Sequence, residues 1–373
     1  MDQIWREARA FQQWVRTGEI PASTASDISK EEASPRPLKL VPINLDLTGA
    51  LNTLRQCKVN IVCVAPGLRE IRVGLEKFPK TREKDSLPTG TASNHAIRYH
   101  EIKTPQIAFP TASILFSHAN ALRHGYYPCG SSISIANKIA TGTVGCLVQK
   151  DDVLYGLTNN HVTGLFSHNR VGMPILGPGL MDVSPENIDP FVIGHHTRGI
   201  AWTPGTSDNV SIEDNLDLAI FRIKNENSVT SFQGHHYDTP TKIANTADLF
   251  KRDLPNVKVK KVGRTTGLTS GWLFGKAGGE FEVRIKDPDF TSSIYFNDMF
   301  AITDDSSGKP FALPGDSGSL VVRDNNGTLE AVGIVFAISP RTMITHVMPI
   351  EVVLDRLGVT LVGDHNVSPT NGP

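Results

Sequence analysis

Apolar residues change their spacing twice along this chain, and the changes divide it. Ile4, Ala8, Phe11, Trp14 and Val15 recur at intervals of three and four, so residues 2–17 read as one amphipathic helix. A stretch rich in Pro, Ser and Lys follows, Ile20–Pro42, and reads as a linker. The spacing then predicts a helix over Thr48–Gln56 and strands over Val59–Val64, Glu70–Phe78 and His95–Ile102, a small α/β unit that packs a helix on a sheet. From Gly142 to about Met348, short runs rich in Val, Ile and Phe alternate with Gly, Pro, Asn and Asp, the pattern of an all-β protein. Helical spacing returns over Ile350–Leu357, and Gly363–Pro373 has none.

These changes set the expected organisation: residues 1–45, an N-terminal helix and linker; 46–104, a small α/β accessory domain; 105–128, a crossover carrying Pro105, Pro110 and Pro128; 129–360, the β domain; and 361–373, a flexible tail. The fold class is mainly β.

Charge and composition remove several functions. With 37 Lys and Arg against 38 Asp and Glu, nothing in the net charge draws the chain to nucleic acid or to a membrane surface. No apolar run approaches the ~18 residues of a spanning helix, and 39% hydrophobic residues supply a sizeable core. Met1 to Glu7 lack the basic start and apolar stretch of a secretory signal, so a cytoplasmic location is expected. Cys57, Cys63, Cys129 and Cys146 match neither a metal motif nor a small disulfide framework and read as reduced thiols. His95 and His100 are expected on the solvent face of a strand. The pairs His195-His196 and His235-His236 fall in apparent long loops with no third ligand beside them, so neither metal nor cofactor is expected. Gly263 to Gly271 lacks the Gly-Lys-Ser/Thr ending of a phosphate loop.

Three other segments carry chemistry. Thr158-Asn159-Asn160-His161-Val162, Asn215-Leu216-Asp217-Leu218-Ala219-Ile220 and Pro314-Gly315-Asp316-Ser317-Gly318-Ser319-Leu320-Val321-Val322 lay out a base, an acid and a nucleophile in that order. A serine hydroxyl is a poor nucleophile unless a base stands within hydrogen-bond reach, and the base needs a partner that fixes its tautomer. His161 would take the Ser317 proton and Asp217 would hold the ring. Gly315, two residues before the serine, allows a tight turn that aims the amides of Gly315 and Ser317 at a developing oxyanion. Taken singly, Gly-Asp-Ser-Gly is also a turn, His161 a packed ring and Asp217 the start of a strand. Together, each beside an apolar run (Val153–Leu157, Leu218–Ile223, Leu320–Val322), they read as a triad.

In that order and context the chain resembles the trypsin-like, chymotrypsin-fold serine peptidases, and within them a bacterial-type branch with an Asn-Asn-His-Val base motif and a short α/β region ahead of the barrels. The resemblance covers roughly residues 129 to 350, through Cys129–Ser134, Gly142–Val148, Thr158–Val162, Val262–Gly271 and Pro314–Val322. It implies two six-stranded β-barrels, with His161 and Asp217 on the first and Ser317 on the second, and hydrolysis of a protein or peptide substrate through an acyl-enzyme.

Departures from the digestive members change what the resemblance implies. No cysteine follows His161, so the bridge flanking the base is absent. The position six residues before the nucleophile, an acid in trypsins, is Phe311, and Ile338 stands where they keep glycine. With Phe336 and Ala337 these residues would line a shallow apolar pocket, favouring cleavage after Ala, Val or Leu. Phe336 also replaces a serine that helps hold the acid, so Asp217 needs another partner. Activation by a freed amino terminus pairing with Asp316 would require a cut within residues 105–135, where Arg123 offers one. The leading region could instead gate the cleft or receive a regulatory partner. The alternative is a catalytically idle or latent scaffold that binds an extended peptide by strand addition, and a third use of the same machinery is an esterase or a self-cleaving enzyme.

Overall fold

A computed structural model describes residues 3–21, 38–110, 122–139, 141–185, 188–205, 211–252, 254, 256–287, 290–305 and 307–368. Most of the expected linker and the end of the expected tail lie outside the described residues, as do residues 111–121 of the crossover.

Two β bodies carry the β domain. In the second, strands Lys258–Gly263, Gly267–Ala277, Phe300–Asp304, Thr345–Pro349, Thr328–Ile338 and Leu320–Asn325 pair each with the next, and the last pairs back with the first. This ring is a closed six-stranded barrel. In the first, an eight-stranded sheet runs Thr360–Val362, Cys146–Lys150, Val153–Thr158, Ala219–Ile223, Phe191–Gly199, Pro174–Gly177, Ser132–Ile135, Gly142–Thr143. Its end strands are not paired with each other among the described residues, so it is a half-barrel where six closed strands were expected. The whole is a chymotrypsin-like double β-barrel fold.

The barrel strands alternate because one face is buried. Along Lys258–Gly263, Val259 and Val262 face opposite ways into two different apolar clusters, while Lys258 is exposed. Helix Ile350–Leu357 buries Ile350, Val353 and Leu357 against the same core, and Gly358, at φ 66°, ends it in the left-handed conformation that glycine adopts without strain.

The region before residue 105 is continuous with the second barrel. Strand Val59–Val64 pairs with Gly267–Ala277, so the sheet runs unbroken through Val59–Val64, Glu70–Leu75 and Ala96–Glu101. Helix Gln3–Thr17 buries Ile4, Ala8, Phe11, Trp14 and Val15, as the periodicity predicts, and packs them into one cluster with Leu273, Phe300, Val321 and Val347 of the barrel. Arg9 Nε donates to Gly278 O at 3.2 Å and Arg16 pairs with Glu280 at 2.6 Å, fixing the helix on the barrel's flank. A boundary at residue 104 therefore cuts through a shared sheet and a shared core.

Four further expectations change. The crossover contains a strand, Gln106–Ala108, inserted in the main sheet. His195 and His196 lie in strand Phe191–Gly199 rather than a loop, and His95 turns inward, its Nδ1 2.6 Å from the buried Glu7 carboxylate. The described part of the tail is tied down: His365 N donates to Ser231 Oγ at 3.0 Å and Asn366 Nδ2 to Val229 O at 2.9 Å.

Candidate active site

Strand Val153–Thr158 leads straight into a one-turn helix, Asn160–Thr163, and this junction places His161. Its side chain is 1% exposed. The two asparagines before it hold the turn from both sides. Asn159 Nδ2 donates to Asp217 O at 2.7 Å, and Asn160 Nδ2 donates to Ser167 Oγ at 2.7 Å and Ile200 O at 2.8 Å. A Cβ on Gly164 would stand 1.8 Å from Asn160 Oδ1, so only glycine lets the chain leave the turn this closely.

Asp217, fully buried just ahead of strand Ala219–Ile223, grips the histidine twice. Its Oδ2 lies 2.5 Å from His161 Nδ1, and its Oδ1 accepts from the His161 amide at 3.0 Å. The partner that Phe336 cannot supply is therefore the backbone of the base itself. Holding Nδ1 in this way leaves Nε2 as the nitrogen able to take a proton from a nucleophile. Aromatic rings surround the imidazole: Phe109 meets it edge-on with centroids 5.6 Å apart, and Phe166 lies stacked at 6.2 Å.

Ser317 sits on the turn that enters strand Leu320–Asn325. Gly315 and Gly318 on either side adopt φ of 100° and 98°, conformations open to glycine. In this turn the amides of Asp316, Gly318 and Ser319 donate to Leu313 O, Val335 O and Asp316 O. Those of Gly315 and Ser317 donate to no group among the described residues, as an oxyanion hole requires. The turn is stitched to the first barrel: Thr143 N donates to Ser317 O at 2.8 Å, Thr143 Oγ1 to Gly315 O at 2.8 Å, and Thr158 Oγ1 to Thr143 O at 2.7 Å. Thr158 is three residues before His161, so this chain of bonds links the turn bearing Ser317 to the turn bearing His161. No hydrogen bond joins Ser317 Oγ to His161 Nε2 among the described residues.

Beneath the turn lie two buried ion pairs that the sequence reading missed. Asp316 accepts from Thr265 N, Thr266 N, Thr266 Oγ1 and Leu313 N, and Lys261 Nζ stands 3.3 Å from its Oδ2. Burial pulls the Lys261 ammonium below the usual lysine range and the neighbouring Asp316 carboxylate opposes that pull. Next to it Arg264 forks onto Asp182 with bonds of 2.7 and 2.6 Å, and Ser132 Oγ donates to the same carboxylate at 2.5 Å. This second pair ties the second barrel to the first, and its only signal in the sequence was the Gly-Arg-Thr-Thr-Gly stretch.

The expected pocket residues divide. Phe311 has no exposed surface and packs inside the second barrel, with its carbonyl accepting from Thr269 Oγ1 at 2.7 Å. Phe336 is equally buried, its ring 5.1 Å from Phe296, and Ala337 is 1% exposed. Ile338 alone reaches the surface. Behind them, His346 Nε2 lies 3.0 Å from Ser339 Oγ, and burial pushes that imidazole down to about 3. Among the described residues, no His, Cys, Asp and Glu side chains gather in a group able to hold a metal ion.

No protein-family model and no curated protein matches the chain. Solved structures similar to part of it include Thermobifida fusca Protease A, 18% identical over 63% of this chain and 97% of that one with a TM-score of 0.39. A glutamic acid specific serine protease that uses a histidine triad in substrate binding is 19% identical over 63% and 100%, TM-score 0.38. Nocardiopsis protease is 16% identical over 62% and 97%, TM-score 0.38.

Proposed function

We propose that this protein is a serine endopeptidase of the bacterial-type branch with the Asn-Asn-His-Val motif. The observation that carries the reading is the buried Asp217–His161 pair, linked through Thr158 and Thr143 to a turn whose Gly315 and Ser317 amides donate to no group among the described residues. In the reaction Ser317 Oγ adds to the substrate carbonyl carbon as its proton passes to His161 Nε2. The carbonyl oxygen gathers negative charge between the two amides, each such donor being worth about 3 kcal/mol in acyl transfer. His161 then protonates the leaving amine, the C–N bond breaks, and water repeats the sequence on the acyl-enzyme. Asp217 stays ionised and stabilises the imidazolium.

Cleavage after small or medium apolar residues rests on residue type: Phe311 stands where trypsins carry the acid that receives Arg or Lys, and Ile338, the one expected pocket residue that is not buried, stands where they keep glycine. A peptide library checks it: products ending in Ala, Val or Leu support the reading, and a profile dominated by Arg or Lys rejects it. Turnover of peptides against simple esters separates a peptidase from an esterase.

The second reading, a latent or idle peptide-binding scaffold, is favoured by one feature, the strand Gln106–Ala108 already seated against Thr328–Ile338. The N-terminal region, sharing that sheet, is the regulatory element in either case. Among the described residues no helix is long and apolar enough to cross a membrane. The four unbridged, buried cysteines suit a reducing compartment such as the cytoplasm.

A further inference from the structure

We propose that the chain is its own first substrate, and that Ser317 cleaves the peptide bond between Ala108 and Phe109. The inference deepens the peptidase reading and rests on it.

Three contacts of the segment Pro105–Phe109 converge on that bond. First, Gln106 pairs antiparallel with Ile338, on the strand that the family resemblance would make the wall of the cleft. Antiparallel pairing to an exposed strand is how an extended peptide is bound by strand addition. The segment is held on its other side as well, parallel to Phe281–Lys286, with Ile107 opposite Ile285 and Ala108 opposite Lys286. Second, the single pair Gln106–Ile338, continued two residues along a strand whose register on its other side shifts between Val335 and Ala337, brings Ala108 near Phe336. The neighbour of Phe336, Val335, is bonded in both directions to the nucleophile turn: Gly318 N donates to its carbonyl at 2.9 Å and its amide donates to Ser319 O at 3.0 Å. Third, the next residue along, Phe109, rests its ring against His161 at 5.6 Å. The Ala108–Phe109 bond therefore runs between the strand position beside Ser317 and the ring of the base.

The residue types agree. Ala108 is a small apolar side chain, the kind that half-buried Ile338, standing where trypsins keep glycine, would favour. Pro105 and Pro110 bracket the segment and stiffen it, and Pro105 O accepts from Arg284 N at 2.8 Å, so it is held extended before any reaction. A merely structural strand has no need to end on the catalytic imidazole.

The step balances with one water. Ser317 Oγ bonds to the Ala108 carbonyl carbon and its proton moves to His161. The bond to Phe109 N breaks as that nitrogen takes the proton. Water then donates a proton through His161 back to Ser317 and leaves its hydroxyl on Ala108. The products are residues 1–108 with a free carboxyl and 109–373 with a free amine. Because helix Gln3–Thr17 and strand Val59–Val64 are built into the second barrel's sheet and core, the two pieces remain together after the cut.

The test follows the intact mass of the purified full-length chain over time at two widely separated protein concentrations. The comparison is with Ser317→Ala and Phe109→Pro, and Ser317-dependent turnover of a small activated ester is measured in parallel. The expected result is two fragments meeting at Ala108 and Phe109, formed at a rate independent of concentration, co-eluting until denatured. Both variants should react on the order of a hundredfold more slowly or not at all. A chain that stays whole while it turns over the ester overturns self-cleavage and leaves the peptidase reading standing. A folded chain that stays whole and turns over nothing overturns both. A cut at another bond, or one equally fast in Ser317→Ala, overturns the assignment of bond or of agent.

Discussion

Lys261 Nζ lies 3.3 Å from Asp316 Oδ2, and neither side chain has exposed surface. The carboxylate next to the nucleophile thus receives its counter-charge from within its own barrel. Two Thr amides, a Thr hydroxyl and the Leu313 amide complete its hydrogen bonds. A freed amino terminus finds no vacancy there, so a new terminus should not act through Asp316. Any cut in residues 105–135 would change access to the cleft instead.

Breaking that pair leaves a buried charge alone, which costs about 3–5 kcal/mol. Lys261→Met should lower the melting temperature markedly and reduce kcat more than KM, since it loosens the turn bearing Ser317. Double substitution of Lys261 and Asp316 by Met and Asn should recover much of the stability; thermal unfolding of the two variants beside the parent chain checks the stabilities, and steady-state kinetics checks the loss in kcat.

Gly315→Ala tests the oxyanion turn. Its Cβ would stand 2.3 Å from Thr265 Oγ1 and 3.1 Å from Arg264 Nη1, in a φ of 100° that alanine avoids. The turn must shift, carrying two amides off target. By analogy with the loss of one oxyanion donor, kcat should fall on the order of a hundredfold or more with KM little changed. Steady-state kinetics on a peptide with Ala at the cleavage site measures the split.

Asn160→Ala removes two side-chain donations, to Ser167 Oγ and Ile200 O, that fix the turn carrying His161. Leaving such groups unsatisfied costs about 1–3 kcal/mol. Activity should drop with stability, and Asn160→Asp should not rescue either: it keeps the acceptor that Ser167 N uses at 3.2 Å but sets a buried carboxylate against the Ile200 carbonyl.

His346 makes stability depend on acid. Its folded pKa is depressed to about 3 by burial, from 6.5, so the unfolded chain binds a proton that the folded chain refuses in between. This contribution is whole above about pH 6.5 and is lost as pH falls toward 3, at up to about 1.4 kcal/mol per pH unit. His346→Gln should flatten the melting temperature against pH in that window, and an unchanged slope would assign the acid sensitivity elsewhere.

The helix Gln3–Thr17, the strand Val59–Val64, the helix Ile350–Leu357 and the sites of His161, Asp217 and Ser317 were legible because each is set by local periodicity or by a compact motif. The strand Gln106–Ala108 was not, since three residues between prolines carry no period and owe their form to strands far along the chain. Lys261 is in phase with buried Val259 on its strand, but its counter-charge, Asp316, lies far along the chain and leaves no spacing signal. Glu7, three residues after Ile4 and four before Phe11, lies on the buried stripe of the helix, but its partners Thr91 and His95 come from a distant part of the chain. Pairings that depend on tertiary approach leave no spacing in the sequence.

The central claim, an assembled and activated Ser317, is tested most directly by covalent labelling with a fluorophosphonate, the modified residue being located by mass spectrometry. The account predicts a single adduct on Ser317 that disappears in Ser317→Ala and in His161→Ala. Well-folded protein that takes no label at Ser317, or takes it equally without His161, would contradict it.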